Sequence, residues 1–535
     1  MKTSMRIFPL LIVSLMLNAV MASASWGATF YLAPNGNDTT GDGSQNRPWR
    51  SLSYACSRVT TPGDTIYIGP GNYTDNGRCN LAVGVSIAGA GSGTTKITSA
   101  YNGGMGTGYI FRDTQPTNPL MLGNNEISGF TLDGSNKTLM TGVFIRGSSN
   151  LSIHDMKFQS IKVSAIWIEG YYNWSNHETT QPPAYAKNVA IYNVETYDTT
   201  SEANYGWGDR LGAFFFGALE NAQIYNITIN EAMASRGTGI KAVSGWLKNF
   251  KGYNWNIKTN VENGDAFVFE MYNFLGDSEI YNCVFNHALS LNSGPQTPVQ
   301  GSTWNLKIHD TKTDFSGFTR GALGHELSHN HLDFYNNYIY GNRGRGAGLW
   351  TTNYLTAGSV TGWRFRNNIV QNCSAGGLTI DRGNLYNIQV YNNIFDTMSS
   401  SPYGGYGIST DGFNGQLSGM KIQNNVFMNC AAAPIYLTAS VTNALIDHNI
   451  FYNNGNGNNV NAASASTIQS NNIKGTVPGL VYSGNRPDPY YQLSKSSNLL
   501  DAGVDVGLPY SGKAPDIGAI EYQAFPPPRN LRLTP

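Results

Sequence analysis

The chain has 535 residues, of which 40% are hydrophobic and 12% aromatic but only 13% charged, about half the usual charged share. Its 31 Tyr, 23 Phe and 10 Trp carry too much apolar area for a disordered chain, and the Ala/Glu/Lys/Leu heptads of a coiled coil are missing. Lys and Arg total 34 against 34 Asp and Glu, so no net field favours nucleic acid or an acidic membrane surface.

Residues 1–28 read as a secretory signal peptide. Lys2 and Arg6 precede an apolar run from Ile7 to about Val20, and the small residues Ala22, Ala24 and Ala28 mark a cleavage zone at about 24–28. The expected mature chain is secreted and extracellular, with no membrane span. In that oxidising setting the 5 cysteines matter. Cys56 and Cys79 flank a short stretch and can be bridged. Cys283, Cys373 and Cys430 sit in similar strings (YNCVF, QNCSA, MNCAA) and read as small buried thiols within a repeat. With an odd count, at least one thiol stays unpaired unless chains cross-link. The segment RSLSYACSRV has apolar residues at helical spacing and predicts a capping element near Ser51–Val59.

A repeat then runs down the chain. Variants of IYNV recur as IYNI, IYNC, FYNNYI, FRNNIV, VYNNIF, IQNNVF and IDHNIF. Their polar anchors fall at Asp155, Asn193, Asn226, Asn254, Asn282, Asp310, Asn337, Asn368, Asn393, Asn425, Asn449 and Asn472, spaced 23 to 38 residues apart. Between anchors lie alternating segments such as SAIWIEG, DAFVFEM and GLTIDRG, separated by Gly/Asn/Ser clusters. Period two argues for strands and the clusters for tight turns. Such a unit cannot bury its apolar face alone and must stack on its neighbours. Coiling strand over strand gives a parallel β-helix, with the anchors aligned in one amide ladder that satisfies turn backbone groups.

The opening segment FYLAPNGNDTTGDGSQNRPWRSL with PGDTIYIGPGNYTD, and the exit segments SSNLLDAG and PDIGAIEY, resemble the two ends of secreted right-handed parallel β-helix proteins of the pectate-lyase-like superfamily. The resemblance covers roughly residues 29–522 and takes the exit segments as the closing coil. It implies an all-β, single-stranded right-handed parallel β-helix of about twelve coils with an N-terminal cap, followed by a Pro-rich tail at 523–535. It is specific for fold and weak for activity, because lyases, hydrolases, epimerases and non-catalytic surface proteins share it.

The string His325-Glu326-Leu327-Ser328-His329 matches the HExxH of zinc proteases, which requires a helix so that both His share one face. Here it precedes an anchor and reads as a strand, in which residues four apart lie ~13 Å from each other, too far for one zinc. With Leu323 and Leu327 inward, His325 points inward and Glu326 outward.

The same alternation sets an outward row of Trp167, Glu169, Lys241, Glu270, Glu326, Trp350, Asp381 and Asp411, with Arg382 beside Asp381. Coil counting makes Asp381 and Asp411 neighbours, ~5 Å apart, and sets Glu326 two coils from Asp381, ~10 Å, near the retaining and inverting spacings of glycoside hydrolysis. The catalytic candidates are Glu270, Glu326, Asp381, Asp411 and Lys241. Insertions at 170–187 and 200–212 carry Tyr171, Trp174, Trp207 and Arg210, suited to sugar rings beside a polar groove. The substrate-binding candidates are therefore Trp167, Glu169, Trp174, Trp207, Trp350 and Arg382.

For a lyase, the resemblance implies a Lys or Arg base, for which Lys241, Arg320, Arg343, Arg345 and Arg382 are the candidates, and often Ca²⁺ against the substrate carboxylate. The motifs of its individual enzyme families are not found. The functional expectation is a secreted, monomeric carbohydrate-active enzyme, a polysaccharide lyase or glycoside hydrolase, acting on an extracellular polysaccharide. The alternative is a non-catalytic glycan-binding surface or matrix protein.

Overall fold

The computed structural model describes residues 27–522 except 105, 114–121, 137, 172–181, 200–211, 232–237, 244–246, 260–264, 271–276, 293–305, 318–323, 351–358, 400–403, 456 and 484–489. Residues 1–26 of the expected signal peptide and the Pro-rich tail at 523–535 fall outside these residues.

Strand pairing is set by the alternating pattern. In the strand Val189–Tyr197, Val189, Ile191 and Val194 are buried, and the strand pairs in parallel with Ser149–Gln159 on one side and Gln223–Glu231 on the other. Among the described residues, pairings of this kind join 27 strands into one sheet and 17 into a second. Each connection between parallel neighbours is a crossover, for which the right hand is the rule. The result is a right-handed parallel β-helix with its apolar core between the sheets, where Ile191, Ile224, Phe267, Leu291 and Phe334 are fully buried.

The alternation in Val189–Tyr197 breaks once, at Asn193, whose φ is 53°. This left-handed bend recurs at Asp155, Asn226, Asn254, Asn282 and Asp310, then at Asn336, Asn367, Asn392 and Asn424. Asn and Asp are the non-glycine residues that adopt it most readily, so the sequence repeat marks one corner per coil. The anchors do not, however, form a single ladder. Asp155 to Asp310 occupy the corner itself and point outward, with Asn193 Nδ2 donating to Asp155 Oδ1 at 3.0 Å and Asn226 Nδ2 to Asn193 Oδ1 at 3.0 Å. From Asn337 on, the anchors are the residue after the corner and point inward. Asn368, Asn393, Asn425 and Asn449 are fully buried.

Each inward amide binds the next coil: Asn368 Nδ2 donates to Asn393 Oδ1 at 3.0 Å, and Asn393 Nδ2 to Asn425 Oδ1 at 2.9 Å. In the earlier coils the same inward position holds Met156, Val194, Ile227 and Trp255, paired in register. The anchors also undercount the coils, since four rungs of the first sheet precede Asp155, at Thr29–Leu32, Thr65–Ile68, Ser86–Gly89 and Leu122–Ser128.

A helix at Leu52–Arg58 buries Leu52, Ala55 and Cys56 and is joined by the Cys56–Cys79 disulfide to the first strand of the second sheet. Cys283, Cys373 and Cys430 are buried thiols, and burial pushes each well above the usual thiol range. At the other end the exit segments do not add a coil. Leu499, Ile517, Tyr491 and Leu493 pack on Ile394, Val426 and Ile450, which face outward from the first sheet. Asn424 Nδ2 donates to the Val504 carbonyl at 2.8 Å, and Gln371 Nε2 donates to Tyr491 Oη at 2.8 Å. The described residues 490–522 are thus a strap laid across finished coils.

Candidate functional site

The register of the second sheet sorts the expected outward row into two columns. Phe111, Phe144, Trp167, Phe215, Lys241, Val268, Ser290 and Glu326 succeed one another in one column. Asp113, Arg146 and Glu169 stand in the second, two residues further along, and Glu270 joins it through Val243. Lys241, Glu270 and Trp350 are described as strand positions only, and Trp174 and Trp207 lie outside the described residues.

Trp167 and Glu169 do face away from the core, with Ile166 and Ile168 inward as expected, yet neither is open to solvent. Trp167 is 6% and Glu169 1% exposed. The indole lies between the rings of Phe144 and Phe215, at 5.4 and 4.3 Å, and donates to Glu169 Oε1 at 2.6 Å. With both faces covered, Trp167 is no platform for a sugar ring. Alternation gives the direction of a side chain and not what lies over it.

His325–Ser328 is a strand, as the spacing predicts. His325 and Leu327 are fully buried, and Glu326 is half-buried. His325 Nδ1 accepts from the Leu289 N–H at 2.9 Å, and burial pushes both His325 and His329 down to about 3. Among the described residues no group of three His, Cys, Asp or Glu could hold a metal ion.

Glu326 Oε2 accepts from Ser290 Oγ at 2.8 Å, one coil away in the same column. Asp381 belongs to neither column. Leu349 pairs with Ile380 but Trp350 pairs with Arg382, so Asp381 is the extra residue of a bulge. The bulge places two neighbouring charged residues on the outer side, Asp381 half-buried and Arg382 exposed. Two coils and about two residues separate Glu326 from Asp381, an offset of roughly 12 Å rather than the expected ~10 Å, beyond the inverting range.

Polar groups of the adjacent coils lie on the same outer face. Arg345, on the preceding coil, pairs with Asp381. On the following coil Asp411 is exposed in the turn after Ile408–Ser409, its N–H bound to Ser409 Oγ at 3.0 Å. Tyr406, which the strand pattern did not single out, lies half-buried beside Tyr436 at 5.2 Å between ring centroids. Burial first, then the Asp411 charge and Tyr436, raises the Tyr406 phenol above its ordinary value. The patch therefore offers a carboxylate open to water, a phenol that keeps its proton, an exposed guanidinium and a second carboxylate fixed by Arg345. Bulges of this kind re-aim side chains.

No model of a protein family matches the chain, and no curated protein matches it. Among solved structures it is similar to the Agl-KA catalytic domain, at 15% identity and a TM-score of 0.37 over 74% of this chain and 69% of that one. It is similar to pectate lyase Pel9A at 15% identity and a TM-score of 0.25 over 93% and 97%. A mannuronan C-5 epimerase A-module from Azotobacter vinelandii gives 13% identity and a TM-score of 0.29 over 80% and 93%.

Proposed function

We propose that the chain cleaves an extracellular polysaccharide lying along the outer face of the second sheet, at the coils that carry Arg345, Asp381, Tyr406 and Asp411. The observation that carries this reading is that Asp381 and Arg382 at one bulge and Asp411 on the following coil share one outer face, with the Asp411 charge felt by the Tyr406 phenol. Stacked coils make a long straight face, and a polysaccharide is a long ligand. Arg382 is placed to offset an anionic sugar substituent. Asp411 is open to take a proton from a ring carbon beside it, and Tyr406 holds its proton and can donate to the departing glycosidic oxygen. The set suits β-elimination on a uronate chain better than hydrolysis, because Asp381 is engaged by Arg345 and Glu326 stands too far away to complete a carboxylate pair.

The test is a panel of neutral and acidic polysaccharides incubated with the purified chain. Unsaturated uronate products, seen by ultraviolet absorbance, support elimination; reducing ends without unsaturation support hydrolysis. On a confirmed substrate, Asp411→Asn and Tyr406→Phe should each lower turnover by roughly 100-fold or more, with circular dichroism unchanged. Full activity in both variants would remove the site from consideration. Binding without products favours the glycan-binding alternative.

A further inference from the structure

The first sheet carries a separate feature that the reading above does not use. On three successive coils the outward side of a corner forms a groove of about 570 Å³. Its rim is the exposed amides of Asn188, Asn221 and Asn249, and its floor and far wall include Ala190, Gln223, Lys251 and Tyr225. The small Ala190 stands in register with Gln223, which stands in register with Lys251, so the groove opens where a long side chain is missing.

The lining chemistry is specific in what it offers. Asn221 Nδ2 donates to Asn188 Oδ1 at 3.4 Å and Asn249 Nδ2 to Asn221 Oδ1 at 3.0 Å. Each bond uses one N–H and one lone pair, and every amide keeps another of each for a ligand. Lys251 is exposed, has no ion-pair partner among the described residues, and is the one charged residue of the lining. Burial and the neighbouring tyrosines raise the phenols of Tyr225 and Tyr253, which remain donors.

Two ligand classes fail on the same geometry. The strands Val189–Tyr197, Gln223–Glu231 and Lys251–Thr259 are paired on both sides, so an extended peptide finds no free edge to join. Tyr192, Tyr225 and Tyr253 stack on one another at 5.0 and 4.9 Å, so their faces are closed to a flat aromatic ligand. What remains is a row of donors and acceptors repeating every ~4.8 Å.

We propose that this groove is a second glycan-binding site, which holds a short extended run of sugar rings through hydroxyl contacts, with Lys251 favouring an acidic unit. The site is independent of cleavage at the second sheet. Isothermal titration with oligogalacturonate and with neutral xylo-oligosaccharides tests it, using the full chain, its Asp411→Asn variant, the Gln223→Ala/Lys251→Ala double variant and an Ala190→Trp plug. Binding is expected in the full chain and in Asp411→Asn, and should fall about tenfold or more in the double variant and the plug, the worth of one or two hydrogen bonds. Lys251→Ala alone should weaken oligogalacturonate and leave the neutral probe unchanged. The double variant guards against a plug that misfolds, which thermal melting would reveal. Absence of binding to both probes, or binding untouched by the groove variants, overturns the proposal. Because the readout is binding, absence of turnover counts only against the second-sheet reading.

Discussion

Replacing Asn393 by Ala should destabilise the chain far more than altering a corner amide. Asn393 Oδ1 accepts from the Asn368 N–H at 2.9 Å and the Asn368 amide at 3.0 Å, while its Nδ2 donates to the Phe365 carbonyl and Asn425 Oδ1, both at 2.9 Å. Asn368 Nδ2 keeps the Phe334 carbonyl and Asn425 Oδ1 keeps the Asn393 N–H, so neither is orphaned. The backbone N–H of the fully buried Asn368 loses its acceptor. At about 1 kcal/mol for each of the other three bonds lost and ~1–3 kcal/mol for the orphaned buried donor, the expected cost is about 4–6 kcal/mol. The control is Asn226→Gly, which keeps the left-handed corner and removes two amide bonds at an exposed position; water replaces them and the cost should stay below about 1 kcal/mol. Urea denaturation followed by circular dichroism gives both values, and hydrogen exchange at the Asn368 amide should accelerate only in Asn393→Ala. Equal costs for the two variants would refute the division of the amides into an inner and an outer ladder.

Acid should weaken the fold through its buried imidazoles. His325 and His329 are held at about 3 in the folded chain, below the usual histidine value, so their neutral forms stabilise fully above pH ~6.5 and that contribution is lost as pH falls toward 3, by roughly 1.4 kcal/mol per pH unit for each. His325→Gln should lower the slope of urea midpoint against pH between 6.5 and 4.5, and an unchanged slope would count against this account. Removing the Cys56–Cys79 bridge, which closes a separation of 23 residues, should cost about 3 kcal/mol, read as a lower midpoint for Cys56→Ser/Cys79→Ser. Tyr491→Phe takes a hydroxyl from the buried Asp396 and Gln371 and should cost ~2 kcal/mol or more, with earlier proteolysis within residues 490–522; unaltered proteolysis would mean that the strap is held elsewhere.

Much of this architecture is legible in the chain because coil period and strand alternation are local signals. SAIWIEG and HELS turn their residues to the sides that period two dictates. Three features escaped for physical reasons. In strings such as RNN, YNN and QNN two adjacent amides serve different purposes, because the left-handed corner reverses side-chain direction within one residue; a sequence alignment sees one column. The cover over Trp167 comes from Phe144 and Phe215 on the coils on either side, which alternation within a strand does not register. The strap escaped because SSNLLDAG and PDIGAIEY carry apolar residues whichever side of a sheet they meet. The second-sheet patch was half visible: Asp381, Arg382 and Asp411 stood in the expected row, whereas Tyr406 precedes an inward isoleucine and gave no periodic cue.

The inward asparagines make the later coils interchangeable. Every amide from Asn368 to Asn449 gives to the coil after it and takes from the coil before it, so removing the 25 residues from Ile369 to Asn393 would bring Asn368 against Asn425, another asparagine offering the same acceptor. The earlier coils have no such freedom, because Trp255 fits between Ile227 and Cys283 by shape and a missing coil there leaves mismatched volumes. The amide ladder by itself therefore sets no coil number in the later part, where the strap on Gln371 and Asn424 does, whereas in the earlier part the core packing sets it.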